Sequence, residues 1–470
     1  MTTSTCRMEH DLLGQRAVPS AASYGIHTLR AVENFPISGV TVGHFPDLVE
    51  ALAAIKQAAA LANSELGLLA PAKAAAIDAA CGEVRRGALH QQFVVDMIQG
   101  GAGTSTNMNA NEVIANRALE LMGHARGDYA FLHPNEDVNL SQSTNDVYPS
   151  ALRLALHAGA LRLLAAIGSL RRAHLERAAA FAGMLKMGRT QLQDAVPMTL
   201  GQEFASYAAM LAADELALRQ ALHALLEINL GGTAIGTGIN APAGYADLVR
   251  AKLAQLTGLA LSTAPDLVAA SQDTDALVAL SSVLKRIAIK LSKVCSDLRL
   301  LSSGPRAGLG DIVLPPMQAG SSIMPGKVNP VIPEAVNQIA FEVIGNDLTV
   351  CMAAEAGQLQ LNAFEPVIAF SLFKSLAHLE RGCRTLETRC ISGITASDAG
   401  LRAKVHASIG LVTALSPNLG YARAGSLARE ALETGRGVVE LVLQHGLMSL
   451  PELEAALRPE RLTGQRLPAG

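Results

Sequence analysis

The chain has no tryptophan, and aromatic residues make up only 3% of its 470 positions. A core so poor in rings has to be filled with Ala, Leu, Val and Ile, the residues of closely approaching helices. Charge is also sparse: Asp, Glu, Lys and Arg are 17% of the chain, with 38 basic and 41 acidic residues giving a net charge of −3. No basic run with interleaved aromatics occurs, so neither nucleic acid nor an anionic membrane is expected as a partner. The six cysteines, Cys6, Cys81, Cys295, Cys351, Cys383 and Cys390, form no C-x-x-C pair and no zinc spacing with histidine. They predict no metal site, reduced thiols and a cytoplasmic setting. The opening stretch MTTSTCRMEHDLLGQR lacks the apolar core of a secretory leader. Charge interrupts the apolar stretches early, so no membrane span is expected.

Half of the residues are hydrophobic. A chain of this length calls for two or three domains, and the apolar excess points to interfaces between copies. Residues 1–45 read as irregular. Helical periodicity begins near Asp47 with Leu48, Leu52, Ile55 and Leu61. Residues 100–109 read as a glycine-rich break, 111–122 as helix, and 123–145 as loop. From 151 to 184 the repeat of Leu152, Leu156, Leu163, Ile167 and Leu170 predicts a long helix. A loop is expected over 186–197. Thr199-Leu200-Gly201-Gln202 then reads as a capping box opening a helix to about Asn229. Further long helices are expected over 273–301, 333–355 and 365–390, with Pro333 suited to a first turn. Ser392-Gly393-Ile394-Thr395 breaks the pattern before a small helical segment. The expectation is a mainly α protein with a central five-helix bundle. Its domains would be 1–146, mostly helical, 147–396, the long helices, and 397–470.

The densest polar block is Gly320-Ser321-Ser322-Ile323-Met324-Pro325-Gly326-Lys327-Val328-Asn329-Pro330. Small residues near Gly320 and Ser321 let backbone N–H groups converge on an anion. Lys327 adds a positive charge and Asn329 a directional donor. The loop reads as a carboxylate-binding apparatus with a hydroxyl placed to take a proton. It is not a phosphate loop, because Val328 stands where a Ser or Thr would have to reach magnesium. Three other blocks are Gly101-Ala102-Gly103-Thr104-Ser105-Thr106-Asn107-Met108-Asn109, then His133-Pro134-Asn135 through Ser141-Gln142-Ser143-Thr144-Asn145-Asp146, and Lys186-Met187-Gly188-Arg189-Thr190-Gln191-Leu192-Gln193-Asp194-Ala195. Taken singly, each reads as helix capping or a polar turn, although a helix start can also hold a carboxylate.

Together, in order and spacing, the four blocks resemble the signature regions of the aspartase/fumarase superfamily. The resemblance covers essentially the whole chain, from Arg7 to near Leu447. It implies the three-domain fold of that superfamily and a homotetramer of packed bundles whose active sites each draw on three chains. The branch that deaminates aspartate fits better than class II fumarase. The third block reads GRTQLQDAVPMTLGQE where fumarases typically have GRTHTQDATPLTLGQE, and the second reads SQSTND against SQSSND. The string MAAEAGQLQLNAFEPVI over 352–368 also looks like the aspartase version. Gln191 replaces a fumarase His that pairs with a Glu, here Glu334, and helps handle water. An amide cannot shuttle a proton, and ammonia needs less proton management than hydroxide as a leaving group.

The activity implied is reversible deamination of L-aspartate to fumarate and ammonium through an enediolate. The alternatives are a class II fumarate hydratase acting on L-malate and, less favoured, a non-catalytic structural relative. Ala-Ser-Gly is absent, which argues against the electrophilic prosthetic group of histidine and phenylalanine ammonia-lyases. No organic cofactor is implied, and activation by a divalent cation such as magnesium is left open. By resemblance Ser321 is the base, with Ser322 a supporting donor. Lys327 and Asn329 grip the α-carboxylate, and Asn145 holds the substrate near its amino group. Thr104, Ser143, Thr144, Thr190 and Gln191 complete the substrate contacts. Histidines such as His27, His157, His174 and His378 read as structural or solvated.

Overall fold

A computed structural model describes residues 6–463, and the described chain is mainly helical. Residues 1–5, the start of the stretch read as lacking a leader, and residues 464–470 lie outside the described residues. The five expected long helices are present as Thr144–Ala180, Leu200–Ala224, Asp275–Leu301, Val331–Glu355 and Glu365–Arg389. Among the described residues, strands form only two-stranded pieces, so nothing plays the part of a central sheet.

The chain divides into two compact units, each discontinuous in sequence. One takes the residues up to Leu164 with Leu216–Arg286 and Phe341–Leu379. The other takes Ala165–Glu215, Ile287–Ala340 and the residues from Glu380 onward. Every long helix contributes to both. The three-segment division at 146/147 and 396/397 describes the chain by sequence, and we retain it as a proposal.

In the first unit the helix Pro46–Glu65 starts on Pro46, whose missing N–H costs nothing at a first-turn position. Its Leu48, Leu52, Ile55, Ala58 and Ala59 are fully buried. The small alanines let Pro71–Arg85, Thr104–Leu121 and Tyr245–Thr257 close around it. The longest helix begins at Thr144 rather than 151, so Pro149 lies inside it. Pro149 has no N–H for the Asn145 carbonyl. The side chain of Asn229 supplies the missing donor, Nδ2 to Asn145 O at 2.9 Å. This helix is long and apolar enough to cross a membrane, but 67% of its most apolar window is buried inside the fold, as in a core helix.

In the second unit the segment expected as a loop over 186–197 is an antiparallel hairpin, Leu185–Thr190 paired with Gln193–Thr199. Lys186, Arg189 and Asp194 break any apolar alternation, which hid the strands. Their stability comes instead from buried ion pairs, such as Lys186 to Glu203 at 2.6 Å. The capping box is formed: Gln202 N donates to Thr199 Oγ1 at 3.0 Å, and Thr199 N donates to Gln202 Oε1 at 2.9 Å. The helix it opens ends at Ala224, not Asn229. His174, Phe181, Phe204 and Tyr207 make a local aromatic cluster. The C-terminal helices have their own core around Leu415, Leu427, Leu441 and Leu453.

Candidate active site

The first two polar blocks lie in the first unit and are locked to each other. The glycine-rich break is shorter than expected, because the helix Thr104–Leu121 begins inside the block, on Thr104. Gly103 before it has φ +86° and lies on the ring of Tyr148; a Cβ there would sit 2.4 Å from Tyr148 Cγ. Only glycine permits both the conformation and the approach. Tyr148 belongs to the helix that starts at Thr144, so the packing joins both blocks. Asn107 reinforces the join, donating Nδ2 to Thr144 Oγ1 at 3.1 Å.

Ser143 directly precedes the helix, and its N–H donates to Asp146 Oδ1 at 2.9 Å. Asp146 also accepts from Gly231 N at 2.8 Å. Burial pushes its carboxyl up to about 6, against these hydrogen bonds and the nearby charge of Lys56. Asn145 donates Nδ2 to Ala234 O at 2.7 Å, and Ala234 is held at φ +60°. The Oδ1 of Asn145 is an acceptor, as an ammonium group requires. His133, from the same block, works as a cap: its Nδ1 accepts the N–H groups of Asn135 and Glu136 at 3.1 and 3.2 Å.

Behind these residues lies a polar layer that the sequence reading missed. Lys56 is fully buried and has amide oxygens as its hydrogen-bond partners, Asn139 Oδ1 and Gln142 Oε1, both at 2.9 Å. Burial pulls its pKa down to about 7. Asn139 Oδ1 also accepts from Asn107 and Asn111 at 3.1 and 3.2 Å. The signal in the sequence was a lysine within an otherwise Ala- and Leu-rich helix face, which reads equally well as a solvated charge.

The other two blocks lie in the second unit. Thr190 ends the first strand of the hairpin, and Gln191 and Leu192 form its two-residue loop at φ +54° and +63°. Such a loop usually carries Asn-Gly; neither residue here is glycine, so the turn is strained. In the serine loop, Ser321 Oγ accepts two backbone N–H groups, from Ile323 at 3.2 Å and Met324 at 2.9 Å. Gly320 N donates to Lys327 O at 2.8 Å, and Asn329 Nδ2 donates to Gly320 O at 2.8 Å. Asn329 therefore spends one amide hydrogen on closing the loop and keeps the other. Ser322 and Lys327 are exposed. Glu334 lies 3.9 Å from Arg299. Among the described residues, no three His, Cys, Asp or Glu side chains gather as a metal-holding group. His378 is paired with Glu342 at 2.6 Å, and His174 is buried on Leu170 O.

Residues 14–345 match the protein family described as Lyase, and 411–464 match the family described as Fumarase C C-terminus. The chain is 59% identical to an aspartate ammonia-lyase of Pseudomonas fluorescens, over 99% of this chain and 98% of that protein. It is 52% identical to an aspartate ammonia-lyase of Escherichia coli, over 96% and 95%. Among solved structures, a fumarate lyase:delta crystallin from Brucella melitensis bound to cobalt superposes with a TM-score of 0.95 at 55% identity, covering 97% of this chain and 99% of that one. A class II fumarase from Schistosoma mansoni superposes at 0.94 with 34% identity, covering 98% and 100%. The four polar blocks, the long helices and these near-full-length likenesses agree: the chain belongs to the aspartase/fumarase superfamily, and within it to the aspartate ammonia-lyases.

Proposed function

We infer that this chain deaminates L-aspartate to fumarate and ammonium, with Ser321 as the base. The observation that carries the reading is the pair of N–H groups donated to Ser321 Oγ. A serine hydroxyl is a poor base unless its oxyanion is stabilised, and two fixed N–H donors supply that stabilisation. The oxyanion takes the C3 proton. The electron pair left behind moves onto the β-carboxylate as an enediolate, then returns to form the C=C bond as C–N breaks. The amino group leaves as ammonia, and the proton that Ser321 took from C3 then passes to it, giving ammonium and restoring the oxyanion. Thr104, Ser143, Thr144, Thr190 and Gln191 are the side-chain donors for the substrate. Donors aimed at the developing charge form the largest catalytic contribution, with one lost donor costing on the order of 100–1,000-fold. Asn145 Oδ1 accepts from the amino group, while Lys327 and Asn329 hold the α-carboxylate. Ser322 is a supporting donor. The reading needs no organic cofactor, and magnesium enters it only as an activator.

The same reading makes the enzyme a homotetramer with shared sites, working in the cytoplasm. The Thr144–Ala180 helix has 37 residues, a rod of about 55 Å at 1.5 Å per residue. One block forms its start and another follows its end, so residues from several copies are needed to complete a site. The helix Val331–Glu355 supports this with an uncovered apolar stripe: Phe341, Leu348 and Met352 are 63%, 63% and 65% exposed. A stripe of that kind calls for a cover, and closed symmetry provides one.

The fumarate hydratase reading is weaker, because identity to the fumarase is 34% against 59% for the aspartate ammonia-lyase. The deciding experiment follows fumarate absorbance with L-aspartate and then with L-malate. Faster turnover of L-aspartate is expected; much faster turnover of L-malate would promote the hydratase.

A further inference from the structure

Asp311 is 1% exposed and lies among three cations from two other parts of its unit. Its Oδ2 accepts from Arg189 Nη1 at 2.7 Å and lies 3.7 Å from Lys186 Nζ. Both cations belong to the strand Leu185–Thr190. Its Oδ1 accepts from Lys404 Nζ at 2.7 Å, and Lys404 belongs to the helix Asp398–Ala407. Lys404 also donates to Leu309 O. Burial raises the Asp311 carboxyl, but the hydrogen bonds from Lys404 and Arg189 outweigh it and hold the group below the usual carboxylate range.

The strand is shaped for this contact. Its pairing shifts register between Met187 and Arg189, a bulge at Gly188. A Cβ on Gly188 would sit 2.8 Å from Val196 O. The C-terminal helices also press on the hairpin, since a Cβ on Gly410 would sit 2.4 Å from Ala195 O. The arms of the hairpin are thus over-determined, while its tip holds Gln191 and Leu192 in left-handed conformations that neither residue favours.

We propose that Asp311 is a positioning residue: with Arg189 and Lys404 it clasps the first strand of the hairpin just before the turn, and the clasp holds the strained tip that presents Thr190 and Gln191 to the substrate. This rests on the reading that Thr190 and Gln191 contact the substrate. A tip displaced by about 1 Å is enough to cost on the order of 100-fold in rate.

The experiment compares Asp311→Asn, Asp311→Glu and Lys404→Met in the full-length enzyme, at a temperature where each is folded. Asp311→Asn should lower kcat/KM for L-aspartate on the order of 100-fold, chiefly through KM, with partial rescue in Asp311→Glu. Lys404→Met should give a smaller loss with the same KM weighting, and it carries the test alone if Asp311→Asn does not fold. Leu192→Gly relaxes the turn. Alone it should leave activity within about threefold; added to Asp311→Asn it should restore at least tenfold. Hydrogen exchange at the amides of Gln191–Gln193 should speed up in Asp311→Asn, a readout independent of turnover. A folded Asp311→Asn enzyme within threefold of wild type with unchanged exchange overturns the clasp, as does a double variant no better than the single one. Thr190→Ala is the control. If it stays fully active, the reading of the third block fails, and faster exchange in Asp311→Asn still identifies the clasp.

Discussion

Asn229 donates its side-chain Nδ2 to the main-chain carbonyl of Asn145 at 2.9 Å, filling the place of the N–H that Pro149 lacks. A proline near the start of the longest helix would otherwise strand a carbonyl in the residue expected to face the substrate's amino group. Asn229→Ala should cost about 1–3 kcal/mol, the penalty for an unsatisfied buried acceptor. It should also raise KM for L-aspartate more than it lowers kcat. Denaturant melts and steady-state kinetics would check both, and unchanged stability would show that another donor serves Asn145.

Ser321→Ala removes the oxygen that accepts the Ile323 and Met324 N–H groups. Turnover should disappear while an unreactive dicarboxylate still binds. Lys327→Ala should instead weaken binding strongly, because a charge-assisted contact is lost. Calorimetric titration beside the fumarate assay separates the two. Activity within a few-fold of wild type in Ser321→Ala would remove Ser321 from the role of base.

Lys56→Met should change how stability depends on pH. The folded pKa of Lys56 is about 7 against an ordinary 10.5. Between those values the unfolded chain holds the extra proton, so wild-type stability gains with rising pH from this group. The variant lacks that gain. Its stability relative to wild type should therefore worsen from pH 7.5 to 9.5, by up to about 1.4 kcal/mol per unit. Parallel melting curves across that range would count against a depressed pKa.

Glu365 gives the opposite sign. Burial pushes its carboxyl up from 4.5 to about 8, with Arg153 the charge that opposes the rise. Its contribution is fully present below the unfolded value near 4.5 and is lost as pH rises through the folded one. Glu365→Gln cannot ionise, so it should match wild type near pH 4.5 and exceed it increasingly up to pH 8. Melting temperatures at matched pH values would show the divergence, and a constant offset would refute it.

Shared sites predict complementation. Inactive Ser321→Ala chains and inactive Thr190→Ala chains, mixed and reassembled, should recover part of the activity. The same preparation should sediment as a tetramer. A fully active single chain of 48.9 kDa would overturn the assembly.

Local chemistry determined much of this protein from its sequence alone. The capping box at Thr199 and Gln202, the first-turn proline at Pro333 and the long Leu repeats depend on contacts within a few residues, so they could be read directly. The polar blocks could be recognised because glycine, serine and asparagine recur there at fixed spacing. Tertiary structure decided the rest, because it pairs residues far apart in the chain. Asn229 rescues the Asn145 carbonyl across 84 residues, and that contact lets a helix run through Pro149. Asp311 reaches Arg189 across 122 residues, and a strand without apolar alternation becomes a hairpin. Lys56 became a buried, hydrogen-bonded amine only once Asn139 and Gln142 met it. In each case the partner that offsets desolvation or a missing donor lies outside any window in which periodicity can be read.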